Sequence, residues 1–360
     1  MKLVFSVVLA AMAAPATAFA TCPLAADYGT NPPTFLGAFP PVTTTVCANP
    51  TDSPCADHHV YVPSDLTSLR LPLLVFLPGT SMEPDKHDLV LQMAAYAGYR
   101  TLGLSYDNTN NVGSVCGGTL CTDDCHEKVR NEVITGVDHG PAVTVAADDG
   151  VVDRLYHLLV DLEADDLSDG VDDWGWGNYY FPLAAGATDP TVANIRGRRM
   201  IFAGFSQGGG NLTRISIERE VHGLVILEGA NDECDDGTGT LQPATYYSYP
   251  DASAGRPKYG AAHRRGAATL TVPAPWITLG LSATDHDVDS VALPLTTTVA
   301  STDQVVPPGP RCSEHMSIAR DDCMPTDAAA GISTTAPDAV HLFEPYLEMF
   351  CGACDSTICP

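Results

Sequence analysis

The sequence predicts an α/β fold: a mostly parallel central sheet with helices on both faces, stabilised by disulfides. Three observations predict it. Short apolar runs rich in β-branched and aromatic residues alternate with amphipathic helical segments along most of the chain. The run at 71–77 (LPLLVFL) ends at Pro78-Gly79, as buried central strands commonly do. Another apolar run, residues 199–203 (RMIFA), leads directly into Gly204-Phe205-Ser206-Gln207-Gly208 and then a helix-compatible stretch.

Taken in order, residues 1–20 read as a signal peptide. Lys2 gives a positive start, residues 3–14 are apolar, and Ala18-Phe19-Ala20 fits a cleavage site after Ala20. The apolar run is too short to span a bilayer, and no other stretch is long enough. Residues 21–360 are then one secreted domain, extracellular or periplasmic. Residues 21–57, rich in Pro and Thr, read as an irregular entry, and residues 59–63 alternate like a strand. After the run at 71–77 come a helix over 85–97 and a strand over 100–105 (RTLGLS). Residues 127–135 and 151–163 are helical by spacing, with Val152, Leu155, Leu158, Leu159 and Leu162 on one face of the second. A helix over 208–220, strands over 223–227 (GLVIL) and 276–281 (WITLGL), and a closing helix over 338–350 complete the pattern. Residues 164–198 and 231–274 lack clear periodicity and are the segments available to a cap or insertion. Trp174, Trp176, Tyr179, Tyr180 and Phe181 in the first of these suit either an apolar pocket wall or core packing.

Composition narrows the function. Twelve cysteines, an even number, in an exported chain read as disulfides. The local candidates are Cys47 with Cys55, two among Cys116, Cys121 and Cys125, and Cys312 with Cys323. Cys351-x-x-Cys354 has zinc-ligand spacing, but no second ligand pair accompanies it. A net charge of −26 with only 18 basic residues excludes nucleic acid, anionic membranes and polyanionic substrates as partners, since each needs positive charge at the contact.

The pentapeptide at 204–208 is a GxSxG sequence. A nucleophilic serine on a tight strand-to-helix turn needs glycine two residues to either side, because larger side chains would clash there. The required strand–turn–helix context surrounds Ser206. Its expected base is His315, in Cys312-Ser313-Glu314-His315, late in the chain on a loop. His286 lies in an acidic run, and His341 lies in an apolar helix where packing is the natural role. The expected acid is Asp285, with Asp287 second, after the strand over 276–281. Asp285, Asp287 and Asp289 also alternate as calcium ligands do. Ser290 and Thr296, however, stand where an EF-hand loop has its glycine and its bidentate Glu. The oxyanion donors are expected to be the backbone N–H groups of Gln207 and Thr80.

With these pieces in place the chain resembles the α/β-hydrolase superfamily, and more narrowly a group of exported bacterial serine hydrolases. The resemblance is carried by LeuProGlyThr at 77–80, GlyTyrArg at 98–100, LeuSerTyr at 104–106, the stretch CHEKVRNEVITG at 125–136, the elbow at 204–210 and GluHisMetSer at 314–317. It implies a Ser–His–Asp hydrolase with Ser206 and His315 in its site. The expected activity is cleavage of a small-molecule or polymeric carboxylic ester through an acyl-enzyme, chemistry that needs no cofactor and no metal. Amide or peptide hydrolysis by the same residues, a non-catalytic binding protein on the same fold, and a calcium-dependent surface protein are the alternatives.

Overall fold

The computed structural model describes residue 28 and residues 32–41, 55–64, 69–169, 173–265, 272–326 and 340–354. The signal-peptide reading and the pairing of Cys22, Cys47 and Cys359 lie outside these residues.

A nine-stranded sheet runs in the order β1-β2-β4-β3-β5-β6-β9-β11-β10. Its strands are β1 (Thr34–Phe39), β2 (His58–Val62), β3 (Leu73–Leu77), β4 (Arg100–Gly103), β5 (Met200–Phe205), β6 (Gly223–Leu227), β9 (Lys258–His263), β10 (His286–Asp287) and β11 (Val299–Thr302). The β1–β2 and β2–β4 pairs are antiparallel, and all later pairs are parallel. The short β7 (Glu233–Asp235) and β8 (Leu241–Pro243) form a separate hairpin. This mostly parallel sheet with helices on both faces is the architecture that the sequence leads one to expect.

Alternation within the central strands builds two cores. Leu73, Val75 and Leu77 of β3 and Met200 and Phe202 of β5 face one side, together with residues of α3 (Cys125–Thr135), α4 (Val151–Asp166) and α5 (Gln207–Glu218). Leu74, Phe76, Ile201, Ala203 and Phe205 face the other, under α1 (Asp88–Tyr96) and α7 (Phe343–Gly352). Strands covered on both faces are apolar throughout, which is why these runs are legible in sequence. Among the described residues no helix is long and apolar enough to cross a membrane.

Several elements differ from expectation. The entry expected to be irregular contains the edge strand β1, paired to β2. Residues 276–281 are not a strand. Pro273 and Pro275 open a short helix there, α6 (Ala274–Thr278), and the buried Trp276 donates from Nε1 to Gly229 O at 2.7 Å. The strand of that region is β9, with the sequence KYGAAH, inside the stretch that lacks periodicity. Gly260 of β9 leaves room for the Trp276 ring, since a Cβ there would lie 2.5 Å from Cζ3. β9 is a strand because β6 and β11 flank it, not because its residues favour one.

Of the disulfides, Cys116–Cys125 and Cys312–Cys323 are local, as expected. Cys121–Cys234 instead joins segments 113 residues apart, which spacing could not reveal. No described cysteine is free. The aromatic residues Trp176, Tyr179 and Tyr180 are core residues, with Trp174 packed against them, while Phe181 is exposed.

Candidate active site

Strand β5 ends at Phe205, and α5 begins at Gln207, so Ser206 carries the whole reversal. Its backbone is at φ 51°, ψ −118°, a strained conformation for a residue with a side chain. The turn is pinned by Ser206 N–H donating to Leu227 O at 2.9 Å. The flanking glycines are sterically required. A Cβ on Gly204 would lie 2.6 Å from the Gly208 carbonyl carbon, and one on Gly208 would lie 2.2 Å from Leu77 O. Both obstacles are backbone and cannot swing aside.

The turn after β3 lies against this elbow, since a Cβ on Gly79 would be 3.2 Å from Ser206 Cβ. Asn108 Nδ2 holds that turn by donating to Gly79 O (2.7 Å) and Met82 O (2.9 Å). Thr80 Oγ1 donates to Gln207 Oε1 at 2.7 Å and links the two candidate oxyanion residues. Among the described residues no backbone carbonyl engages the N–H of Thr80 or of Gln207.

His315 precedes a short 3-10 turn (Met316–Ile318) on the loop closed by Cys312–Cys323. Its ring packs on Phe205, centroids 4.8 Å apart, beside the serine. Ser206, His315, Thr80 and Gln207 all line one cleft of about 430 Å³ at the carboxyl ends of the strands, where open α/β sheets carry their sites.

The acid facing His315 is not Asp285. The Asp285 carboxylate accepts from Ser301 Oγ and from Arg264 Nε (3.2 Å) and Nη2 (3.0 Å). Asp287 is paired with Arg264 Nη1 at 2.9 Å. Asp289 is paired with His341 Nε2 at 2.6 Å. His286 is engaged by Thr296 and Val291 O. The three aspartates thus turn to different partners, and neither His286 nor His341 lines the cleft. The carboxylate near His315 belongs to Glu228, the residue after β6. Its Oε2 lies 3.5 Å from His315 Nδ1, and its side chain is only 3% exposed. The pair is close but outside hydrogen-bond geometry, and Nδ1 has no other partner. The Glu228 backbone has φ 48°, and its N–H donates to Ala261 O at 2.9 Å. His263 N–H donates to its Oε1. The signal for Glu228 was present in the sequence: a lone acid at the end of an apolar strand (GLVIL) and followed by Gly229. The apolar run at 276–281, which is helical, offers a competing strand end in the sequence.

The cleft wall is polar and cross-linked. α2 (Val112–Cys116) is tied to α3 by Cys116–Cys125, and the segment between them is tied to β7 by Cys121–Cys234. His126 and Glu233 line this wall. Burial holds the His126 imidazole below its ordinary pKa, against the opposing pull of Asp232, so it stands neutral at neutral pH.

No family model matches the sequence, and no curated protein matches it significantly. Among solved structures the chain is similar to a hormone-sensitive lipase from a metagenome library (16% identity, 54% of this chain and 47% of that one, TM-score 0.26). It is similar to an esterase from the hyperthermophilic archaeon Pyrobaculum calidifontis (17% identity, 49% and 41%, TM-score 0.25). It is also similar to the esterase Est22 (12% identity, 57% and 46%, TM-score 0.27). The match spans less than half the length of each of those chains. With likeness this distant, the fold rests on the strand order and the elbow of this chain itself.

Proposed function

We propose that this chain is an exported serine hydrolase that cleaves a carboxylic ester through an acyl-enzyme on Ser206. The observation that carries the reading is the strained elbow, which turns Ser206 into the same cleft as His315 while the Glu228 carboxylate lies 3.5 Å behind the imidazole. Glu228 on Nδ1 leaves Nε2 for the serine. His315 takes the proton as Ser206 Oγ attacks the ester carbonyl, and the N–H groups of Gln207 and Thr80 receive the developing oxyanion. Collapse expels the alcohol, protonated by His315. Water activated by the same imidazole then releases the acid and regenerates the serine. Glu228 holds the tautomer and offsets the imidazolium charge, the role the sequence led us to expect of Asp285. The disulfides support export to an oxidising compartment.

The test is labelling of the pure protein by a fluorophosphonate, with p-nitrophenyl ester hydrolysis measured in parallel. Both are expected in the wild type and absent in Ser206→Ala. A folded wild type that neither labels nor hydrolyses any ester in an acyl-length series, polyesters included, would return the chain to the binding-protein reading.

A further inference from the structure

The stretch at 125–136 has no part in the chemistry above, yet it supplies Arg130, a buried cation next to the nucleophile. We infer that Arg130 is a positioning residue that clamps the first turn of α5 to the loop carrying Glu228, and so sets Ser206 against its histidine and acid. The inference rests on the reading of Ser206 as nucleophile.

Arg130 is 2% exposed. On one side its Nη1 donates to Gln207 O (3.1 Å) and Asn211 Oδ1 (2.8 Å), both in the opening turns of α5. On the other, Nε and Nη2 form a fork to the Asp232 carboxylate, with Nη2 to Oδ1 at 2.6 Å. Asp232 lies four residues after Glu228 on the same loop, and Tyr246 Oη donates to its Oδ2 at 2.6 Å. The guanidinium therefore bridges the residue after the nucleophile and the segment holding the acid. Only a planar fork reaches both. The third glycine of the run 208–210 serves this contact. A Cβ on Gly210 would fall 2.1 Å from Arg130 Nη2, so the guanidinium lies directly on the bare helix turn. Four of its N–H donors are directed to protein acceptors on the two sides, at the border of the cleft. Burial alone would lower its pKa and raise that of Asp232. The mutual attraction outweighs burial in both, so the pair stays ionised.

The experiment compares wild type, Arg130→Lys and Gly210→Ala as full chains on p-nitrophenyl acetate, with active sites counted by fluorophosphonate titration and folding followed by thermal melting. Arg130→Lys keeps the charge but loses the fork. Gly210→Ala keeps every charged group but displaces the guanidinium. A displaced elbow lowers kcat per titrated site roughly 10- to 100-fold in both variants, with KM changed less than about twofold. A residue that only stabilised the fold would lower the melting temperature and the number of titrated sites but leave kcat per site unchanged. That outcome in either variant that folds overturns the clamp alone. If neither variant folds, Asp232→Asn, which retains shape while weakening the fork and the Tyr246 contact, decides by the same ratio. A folded wild type that takes no label overturns the hydrolase reading and the clamp together.

Discussion

Glu228 Oε2 lies 3.5 Å from His315 Nδ1, while the other oxygen of the same carboxylate accepts the backbone N–H of His263 at the end of β9. A buried carboxylate braced by a neighbouring strand is stiff, and it can fix the orientation of a loop histidine that has no other partner for Nδ1. Glu228→Gln is expected to lower kcat by roughly 10²- to 10⁴-fold, the range for losing tautomer control in a triad. Asp285→Asn is expected to leave kcat within about twofold of wild type while weakening the pairing with Arg264. Steady-state kinetics of the two variants separate the assignments. Equal loss in both, or loss only in Asp285→Asn, rules out Glu228 as the acid.

The elbow should tolerate no enlargement at Gly208. The Cβ of Gly208→Ala would be 2.2 Å from Leu77 O, so either the helix or the end of β3 must move. Destabilisation of about 2–4 kcal/mol is expected, typical of a backbone-incompatible core substitution. Denaturant melts should register it together with lost fluorophosphonate labelling. A variant of normal stability and activity would mean that the elbow is more open than described.

Acid should weaken the fold well above the carboxylate range. Burial pushes the His58 pKa down to about 3 and that of His87 to about 4. His58 Nδ1 accepts from Ser105 N–H at 2.9 Å, and His87 Nδ1 lies 2.7 Å from Ala319 O. Both imidazoles stay neutral in the folded chain, whereas the unfolded chain protonates them near 6.5. Below that pH the unfolded state binds more protons, so stability is full above about 6.5 and falls as pH drops toward 4 and then 3. The loss is roughly 1.4 kcal/mol per pH unit per histidine, or on the order of 2–4 kcal/mol for the two at pH 5. Unfolding measured between pH 7 and 5 should show this slope, and His87→Gln should roughly halve it. The same loss in His87→Gln as in wild type over that interval would mean that His87 is not buried uncharged.

Cys121–Cys234 spans 113 residues and ties the cleft wall to β7. Replacing both cysteines by serine is expected to cost about 2–5 kcal/mol, since a long loop constrains the unfolded chain strongly. The larger effect should fall on KM, because the wall bearing Glu233 is released while the elbow, buttressed by Gly204 and Gly208, keeps its shape. Unchanged KM in the folded double variant would place substrate away from this wall.

Much of this protein was legible in one dimension. Residues 73–77, 200–205 and 223–227 are apolar at every position because both faces of their strands are covered, and burial of that kind is written directly into composition. Ser206 was legible because the turn that presents it excludes side chains at Gly204 and Gly208, so sterics leave a mark in the sequence. His315, Gln207 and Thr80 followed from chain order relative to that turn, and the fold brings all of them to one cleft. The sequence could not decide which of many acidic residues would face the imidazole, that KYGAAH rather than WITLGL would be the next strand, or that Cys121 would reach Cys234. Those outcomes depend on what lies beside a residue in space. β9 is a strand because β6 and β11 flank it, and Asp285 is removed from contention because Arg264 and Ser301 sit next to it. Periodicity and local sterics act along the chain and can be read from it, whereas pairing between distant segments is settled only when the sheet assembles.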